Sequence, residues 1–132
     1  MPFVALVTVL ALGQFFWFGA QVARARTRYG VAAPATSGHE QFERHYRVQM
    51  NTLEQLVLFL PMLWIFAVYI SPLWAAALGM MFILGRAIYA ISYVRDPRSR
   101  ALGFALTAIP TLIMLIGCVV WAVRAIVLDA AW

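Results

Sequence analysis

Three polar side chains recur at helical spacing in the middle of the chain. Arg47, Asn51 and Glu54 are separated by four and three residues, so on an α-helix they lie on one face over two turns. Glu43 lies one turn earlier on the same stripe and can pair with Arg47. A guanidinium, an amide and a carboxylate on one face suit either a polar seam between membrane helices or a site for a small zwitterion. The spacing alone does not decide between the two.

A second polar stripe lies further along the chain. Arg86, Tyr89 and Tyr93 are spaced by three and four residues and again share one helix face. Tyrosines alone are typical of anchoring at the membrane interface. An arginine on the same stripe must instead face the interior of a helix bundle, and we expect it to approach Glu54. Because arginine binds carboxylates in a bidentate fork and a glutamate can receive an ammonium, the two stripes favour a small polyionic ligand beside an apolar surface.

Three more arginines surround Pro97. Arg95 and Arg98 are best explained as a topology signal that contacts lipid headgroups. Charge alone does not separate Arg100 from these two.

The other residues able to do chemistry are few. His39 and His45 flank the start of the second helix and are interpreted as surface histidines. Cys118 lies in an apolar run, as a small hydrophobic residue would. One cysteine and two histidines exclude an internal disulfide and predict no metal site.

The composition indicates which solvent surrounds the helices that carry these stripes. Of 132 residues, 64% are hydrophobic and only 11% are charged, more apolar surface than one soluble core of this size can bury. The surrounding solvent is therefore lipid. The net charge of +5 does not indicate nucleic-acid binding, because all ten basic residues are arginines and they cluster beside apolar runs. A nucleic-acid interface needs a hydrated positive surface.

The apolar runs predict an all-α integral membrane four-helix bundle with up-down topology, in one domain covering residues 1–132. The spans are expected at about 3–23, 52–70, 73–94 and 101–128. We expect the first span to be retained and not cleaved as a signal peptide, since its arginines follow the apolar run instead of preceding it. Phe42, Tyr46 and Met50 recur at four-residue spacing, which predicts one continuous helix from Glu40 to Ile70.

The arginines also predict the orientation of the bundle. The connections after the first and third spans are rich in arginine and the turn at Ser71 has none, so both connections should face the cytoplasm and both termini the opposite side. The five tryptophans, Trp132 among them, include several near span ends, as interfacial anchors would be. The short chain and spare loops suggest a bacterial inner membrane.

The stretch Phe42–Glu54, which reads Phe-Glu-Arg-His-Tyr-Arg-Val-Gln-Met-Asn-Thr-Leu-Glu, resembles the MAPEG superfamily of eicosanoid and glutathione metabolism. This superfamily includes microsomal glutathione transferases and a leukotriene-C-forming synthase. The run Glu-Arg-x-x-Arg-x-x-x-Asn-x-x-Glu within the stretch is fairly specific. The similarity covers Gln21 to Arg100, and spans one and four match mainly in hydropathy. Its other matching positions are Val22, Arg26, Pro34, Gly38, Arg86, Tyr89 and Tyr93.

The resemblance implies a homotrimer of four-helix protomers, with glutathione bound between adjacent subunits near the cytoplasmic face. It also implies that the residues holding glutathione are Arg47, Asn51, Glu54, Arg86, Tyr89 and Tyr93, supported by Arg26 and Gln49. Arg100 matches the arginine that the family places beside the glutathione sulfur. The implied activity is a glutathione transferase, or also a peroxidase, acting on lipophilic electrophiles or lipid hydroperoxides in detoxification.

Two departures and two alternatives accompany this interpretation. Gln55 stands where the leukotriene-forming synthase has a tyrosine, and Thr27 where it has another arginine, which argues against a leukotriene substrate. A non-catalytic relative that binds and presents a lipid would have the same fold. A small multidrug exporter would need a membrane-buried acid as its coupling site. The first span has no acid, and Glu54 lies near a span end beside arginines.

Overall fold

Four long helices make up the protein. The computed structural model describes residues 1–130, so Trp132 and the end of the predicted 1–132 domain lie outside the described residues. The helices are α1 (Pro2–Tyr29), α2 (Glu40–Tyr69), α3 (Pro72–Arg95) and α4 (Ala101–Ala130), and a short 3₁₀ turn, Pro97–Ser99, precedes α4. Within residues 1–130 all regular structure is helical, which confirms the predicted fold class.

Local chemistry sets the boundaries of the first three helices. Gly30 follows α1 with φ 68° and ψ 33°, a left-handed conformation that favours glycine. The side chain of His39 accepts a hydrogen bond from the Gln41 amide at 3.1 Å and caps the start of α2. The Ser71 hydroxyl does the same for α3, accepting from the Trp74 amide at 3.2 Å. At the other end of α3, Asp96 is extended and is followed by proline, so the helix stops.

The helices pack with α2 and α3 in the centre and α1 and α4 on opposite flanks. Both α1 and α4 contact α2 and α3. Phe59 of α2 and Phe82 of α3 stack in the core with ring centroids 3.8 Å apart. Large apolar side chains such as Phe16 (80% exposed) and Leu73 (71% exposed) point outward. All four helices are long and apolar enough to cross a membrane, so these outward faces are solvated by lipid and the protein is an integral membrane protein.

Two glycines let α3 and α4 approach closely. A Cβ on Gly103 would lie 2.4 Å from the backbone nitrogen of Tyr89, and one on Gly85 would lie 2.7 Å from the backbone carbon of Leu106. Small residues at a membrane helix interface allow this kind of backbone contact. The contact fixes the first turn of α4 against the part of α3 that carries the predicted tyrosine stripe.

Candidate functional site

A recess of about 430 Å³ opens between α2, α3 and the start of α4. Its size is within the range of about 300–1,000 Å³ typical of sites for small ligands. We call it the polar recess, and its lining residues are Arg47, Asn51, Tyr89, Tyr93, Arg100 and Phe104. Five of these six residues were candidates from the sequence. Phe104 was missed, and its only signal is a position one helical turn after Arg100.

A fully buried arginine lies behind the polar recess. Arg86 is 0% exposed, and its Nη2 donates a hydrogen bond to Oδ1 of Asn51 at 2.8 Å. Its guanidinium carbon is 4.3 Å from the centroid of the Tyr89 ring. The expectation that Arg86 approaches Glu54 is wrong, because Asn51, one turn earlier on α2, takes the bond. Arg86 therefore supports two lining residues and does not line the recess itself.

Glu54 is instead paired with an arginine of its own helix. Nη1 of Arg47 lies 3.3 Å from Oε1 of Glu54, and the two side chains are 51% and 55% exposed. The suggested pair between Glu43 and Arg47 is not formed. A half-exposed ion pair contributes little to stability. Arg47 and Glu54 can therefore give up their mutual contact and bind a ligand instead.

Tyr89 and Tyr93 form one wall of the polar recess. Their rings stack with centroids 5.5 Å apart and an interplanar angle of 15°. Tyr89 is buried and Tyr93 is half-buried. The wall therefore continues the buried contact between Tyr89 and Arg86 towards the mouth of the recess.

A capped turn carries Arg100 to the polar recess. Oδ1 of Asp96 accepts a hydrogen bond from the backbone amide of Arg98 at 3.0 Å, and this bond holds the pKa of the Asp96 carboxyl below its usual value. The Ser99 hydroxyl donates to the Asp96 carbonyl at 2.7 Å. Both bonds close the 3₁₀ turn that leads directly into Arg100 and α4. They therefore fix the position of Arg100 at the start of α4.

Arg44 ties this turn to α2. Its Nη1 donates hydrogen bonds to the carbonyl oxygens of Val94 and Arg95, at 3.0 and 3.1 Å, and its Nη2 bonds to Glu40. These carbonyls lie in the last turn of α3, where helix geometry leaves acceptors without partners. Sequence reasoning counted Arg44 among the arginines of the first connection and of the MAPEG-like run, and did not predict this contact with α3. A pairing between distant segments leaves no trace in local spacing.

Arg26 and Gln49 lie away from the polar recess. Nη1 of Arg26 donates to the Ala35 carbonyl at 2.6 Å, and its guanidinium lies 4.7 Å from the Phe42 ring centroid. The Gln49 amide packs against Gly19 of α1, where a Cβ would lie 3.0 Å from its Nε2. Within the described chain, the side chains that the resemblance assigned to glutathione are therefore divided between two places.

The fold and the polar recess define an integral membrane four-helix protein with a small cationic site at one end of its bundle. The chain belongs to the MAPEG family, whose model matches residues 4–120. The predicted family is thus confirmed, and the match extends beyond Gln21–Arg100 to include most of α1 and α4.

Relatives of known and unknown activity share this similarity. An uncharacterized protein of Synechocystis is 46% identical over 123 residues, covering 91% of this chain and 90% of that protein. Human microsomal glutathione S-transferase 2 is 36% identical over 115 residues, covering 86% of this chain and 78% of the human protein. Leukotriene C4 synthase of Cavia porcellus is 38% identical over 97 residues, covering 74% of this chain and 65% of the synthase.

Proposed function

We propose that the protein is a membrane-bound glutathione transferase that activates the glutathione thiol for attack on lipophilic electrophiles. The observation that carries this proposal is the convergence of Arg47, Asn51, Tyr89, Tyr93 and Arg100 on one recess. The names of the human and Cavia porcellus relatives, a glutathione transferase and a leukotriene synthase, support the same class of chemistry.

The charges around the polar recess complement those of glutathione. The tripeptide carries two carboxylates, one ammonium and one thiol. Arg47 presents a guanidinium for a carboxylate, and Glu54, 3.3 Å from Arg47, presents a carboxylate for the ammonium. Asn51 has its amide oxygen fixed by Arg86, so its NH₂ group remains available as a donor. Binding would exchange the Arg47–Glu54 pair for two contacts with the ligand.

Arg100 is the group that we assign to the sulfur. A free thiol with a pKa of about 8.5 is only a few per cent thiolate at neutral pH. A guanidinium within hydrogen-bond reach stabilises the anion and cannot lose its own proton. The thiolate then forms a carbon–sulfur bond with the electrophile, and the leaving group, such as a halide, departs with the bonding electrons. With a lipid hydroperoxide, the thiolate would form an S–O bond with the terminal peroxide oxygen while the O–O bond breaks, which gives the sulfenic acid and the alcohol. A second glutathione would then displace water from the sulfenic acid to form the disulfide.

The complete site requires a second subunit in this proposal. Arg26 and Gln49 lie on the α1–α2 side of the protomer. Neither of them lines the polar recess of the same protomer. We propose a homotrimer in which Arg26 and Gln49 of one subunit reach glutathione in the recess of its neighbour. We also propose that the recess faces the cytoplasm of a bacterium, with both termini on the other side of the inner membrane.

Calorimetric titration of the purified protein in detergent with glutathione tests this function. Wild-type protein should bind glutathione, and Arg47→Ala should weaken binding by about tenfold or more, the loss expected for one charge-assisted contact. Arg124→Ala is the matched control, because Arg124 is exposed on α4 and does not line the polar recess. An aromatic halide added as second substrate should then give turnover. Absence of glutathione binding by the wild type would replace this proposal with a lipid-presenting role.

A further inference from the structure

A second cavity, of about 520 Å³, lies between α1 and α3. We call it the α1–α3 cavity. It shares no lining residue with the polar recess, and no residue of α4 lines it. Most of its wall is apolar and comes from side chains such as Trp17, Phe18, Ala90 and Ile91. It therefore offers lipid-accessible apolar surface on the flank of the bundle away from the polar recess.

The α1–α3 cavity has an arginine at one end only. Both α1 and α3 run towards the arginine-rich connections, and the cavity follows them from Gln14 to Gln21, about 10 Å at about 1.5 Å per residue. Near Gln14 the helices are joined, because Nε2 of Gln14 donates to the Ile83 carbonyl at 3.0 Å. At the opposite end the lining changes to Gln21, His45 and Arg95.

A polar cleft of about 560 Å³ adjoins this end of the α1–α3 cavity. Gln21 and His45 line both spaces. The cleft adds two exposed arginines of α1, Arg24 and Arg28. Neither lining contains an aspartate or a glutamate, so the arginines are not neutralised by a carboxylate of the same wall. The two spaces together present cations at the membrane interface and an apolar channel leading into the membrane.

We propose that this composite site binds an anionic phospholipid, with its phosphate at Arg24, Arg28 and Arg95 and an acyl chain in the α1–α3 cavity. Arginine binds phosphate through several parallel donors, and each basic residue near an anionic membrane surface strengthens the attraction. The apolar wall of the α1–α3 cavity gives the acyl chain the apolar contacts that neighbouring lipid tails give it in the bilayer. The site shares no residue with the polar recess. Its lipid is therefore a structural ligand and not a substrate placed against a glutathione thiol. The proposal does not depend on glutathione binding.

Native mass spectrometry of the protein released from nanodiscs of equal parts phosphatidylglycerol and phosphatidylcholine tests this site. Wild-type protein should retain phosphatidylglycerol over phosphatidylcholine by about fivefold or more. Arg95→Gln should lower that preference by about fivefold, as removal of one arginine beside an anionic headgroup predicts. Arg124→Gln, at the far end of α4, should leave it unchanged. Equal retention of the two lipids by the wild type, or equal effects of the two substitutions, would overturn the proposal.

Filling the cavity separates it from a general attraction between arginines and lipid. Ala90→Phe places a ring in the α1–α3 cavity, whereas Ala77→Phe adds one on an exposed face of the same helix. Only Ala90→Phe should reduce the retained phosphatidylglycerol to the level of phosphatidylcholine.

Fluorescence quenching locates the bound lipid without relying on the Ala90→Phe variant, which could fail to fold. In a protein that keeps Trp17 as its one tryptophan, brominated phosphatidylglycerol should quench more strongly than brominated phosphatidylcholine at the same mole fraction. A protein that keeps only Trp74, which is exposed at the other end of α3, should show no such difference. The same preference at both tryptophans would contradict a defined site.

Discussion

Replacement of Gly103 by alanine should disturb the polar recess although Gly103 is not one of its lining residues. The new Cβ would lie 2.4 Å from the nitrogen, 2.5 Å from the Cα and 2.7 Å from the Cβ of Tyr89. Carbon atoms in ordinary contact are about 3.5–4.0 Å apart. Two of these atoms belong to the backbone and the third, the Cβ, is fixed by it, so no side-chain rotation relieves the overlap. The first turn of α4 must move away from α3 by about 1 Å or more.

Two consequences of that movement can be given a magnitude. Overpacking of a well-packed interior typically costs about 1–3 kcal/mol, so the variant should unfold at a lower temperature in the same detergent. Arg100 and Phe104 move with α4, while Tyr89 and Tyr93 stay on α3. A displacement of about 1 Å at an active site can reduce turnover by about 100-fold. We therefore expect glutathione-dependent turnover to fall by one to two orders of magnitude at temperatures where the variant is still folded.

The matched control is Gly13→Ala. Gly13 also lies inside a membrane helix, but no atom lies within 4 Å of the position its Cβ would take. Alanine there should be neutral or slightly stabilising, because it has the higher helix propensity. The two variants are compared by thermal unfolding and by turnover with an aromatic halide. If Gly103→Ala matches Gly13→Ala in both measurements, the close packing of α3 and α4 does not position Arg100, and the reasoning fails.

Three further predictions concern the buried arginine, the neighbouring subunit and the orientation. Arg86→Met should raise the unfolding temperature, because it removes a buried cation whose Nε and Nη1 have no partner among the described residues. It should also weaken glutathione binding by about tenfold, because it releases the Asn51 amide. A lower unfolding temperature together with unchanged affinity would contradict this. If the proposed trimer forms, mixing Arg26→Ala and Arg47→Ala subunits should restore a fraction of sites with wild-type affinity for glutathione, as measured by calorimetry, since some interfaces then pair two intact residues. If every site in the mixture stays as weak as in the single variants, the site does not cross subunits. A cysteine introduced at Ser37, with Cys118 replaced by alanine, should react with a membrane-impermeant thiol reagent only from the cytoplasmic side, and labelling from the opposite side would reverse the predicted topology.

Much of the fold follows from one-dimensional pattern. A four-residue apolar period predicted a helix from Glu40 to Ile70, and the structure has α2 at Glu40–Tyr69. Hydropathy was less informative about the end of the first helix. The apolar run stops near residue 23, but α1 continues to Tyr29, because arginines are good helix formers and Gly30 is the first residue that ends the helix. Hydropathy thus locates the membrane, whereas capping chemistry locates the helix ends.

The partners of polar side chains were less predictable. Spacing correctly placed Asn51 and Glu54 on one face of α2, but it did not indicate which of them Arg86 would contact. That choice depends on the depth and rotation of α3 against α2, which local spacing does not specify. The glycines themselves carried a usable signal, since small residues within membrane helices often mark close packing. The bonds from Arg44 to the end of α3 carried none.

The most direct test of a glutathione-activating site is the ionisation of the bound thiol. Glutathione is titrated with pH in the presence of excess protein, and the thiolate is followed by its ultraviolet absorbance. If Arg100 lowers the thiol pKa by about two units, from about 8.5, the thiolate fraction at pH 7 rises from about 3% to about 75%. Arg100→Ala should return it to about 3% while glutathione still binds. A bound thiol that ionises at its free-solution pKa in the wild-type protein would contradict the central claim.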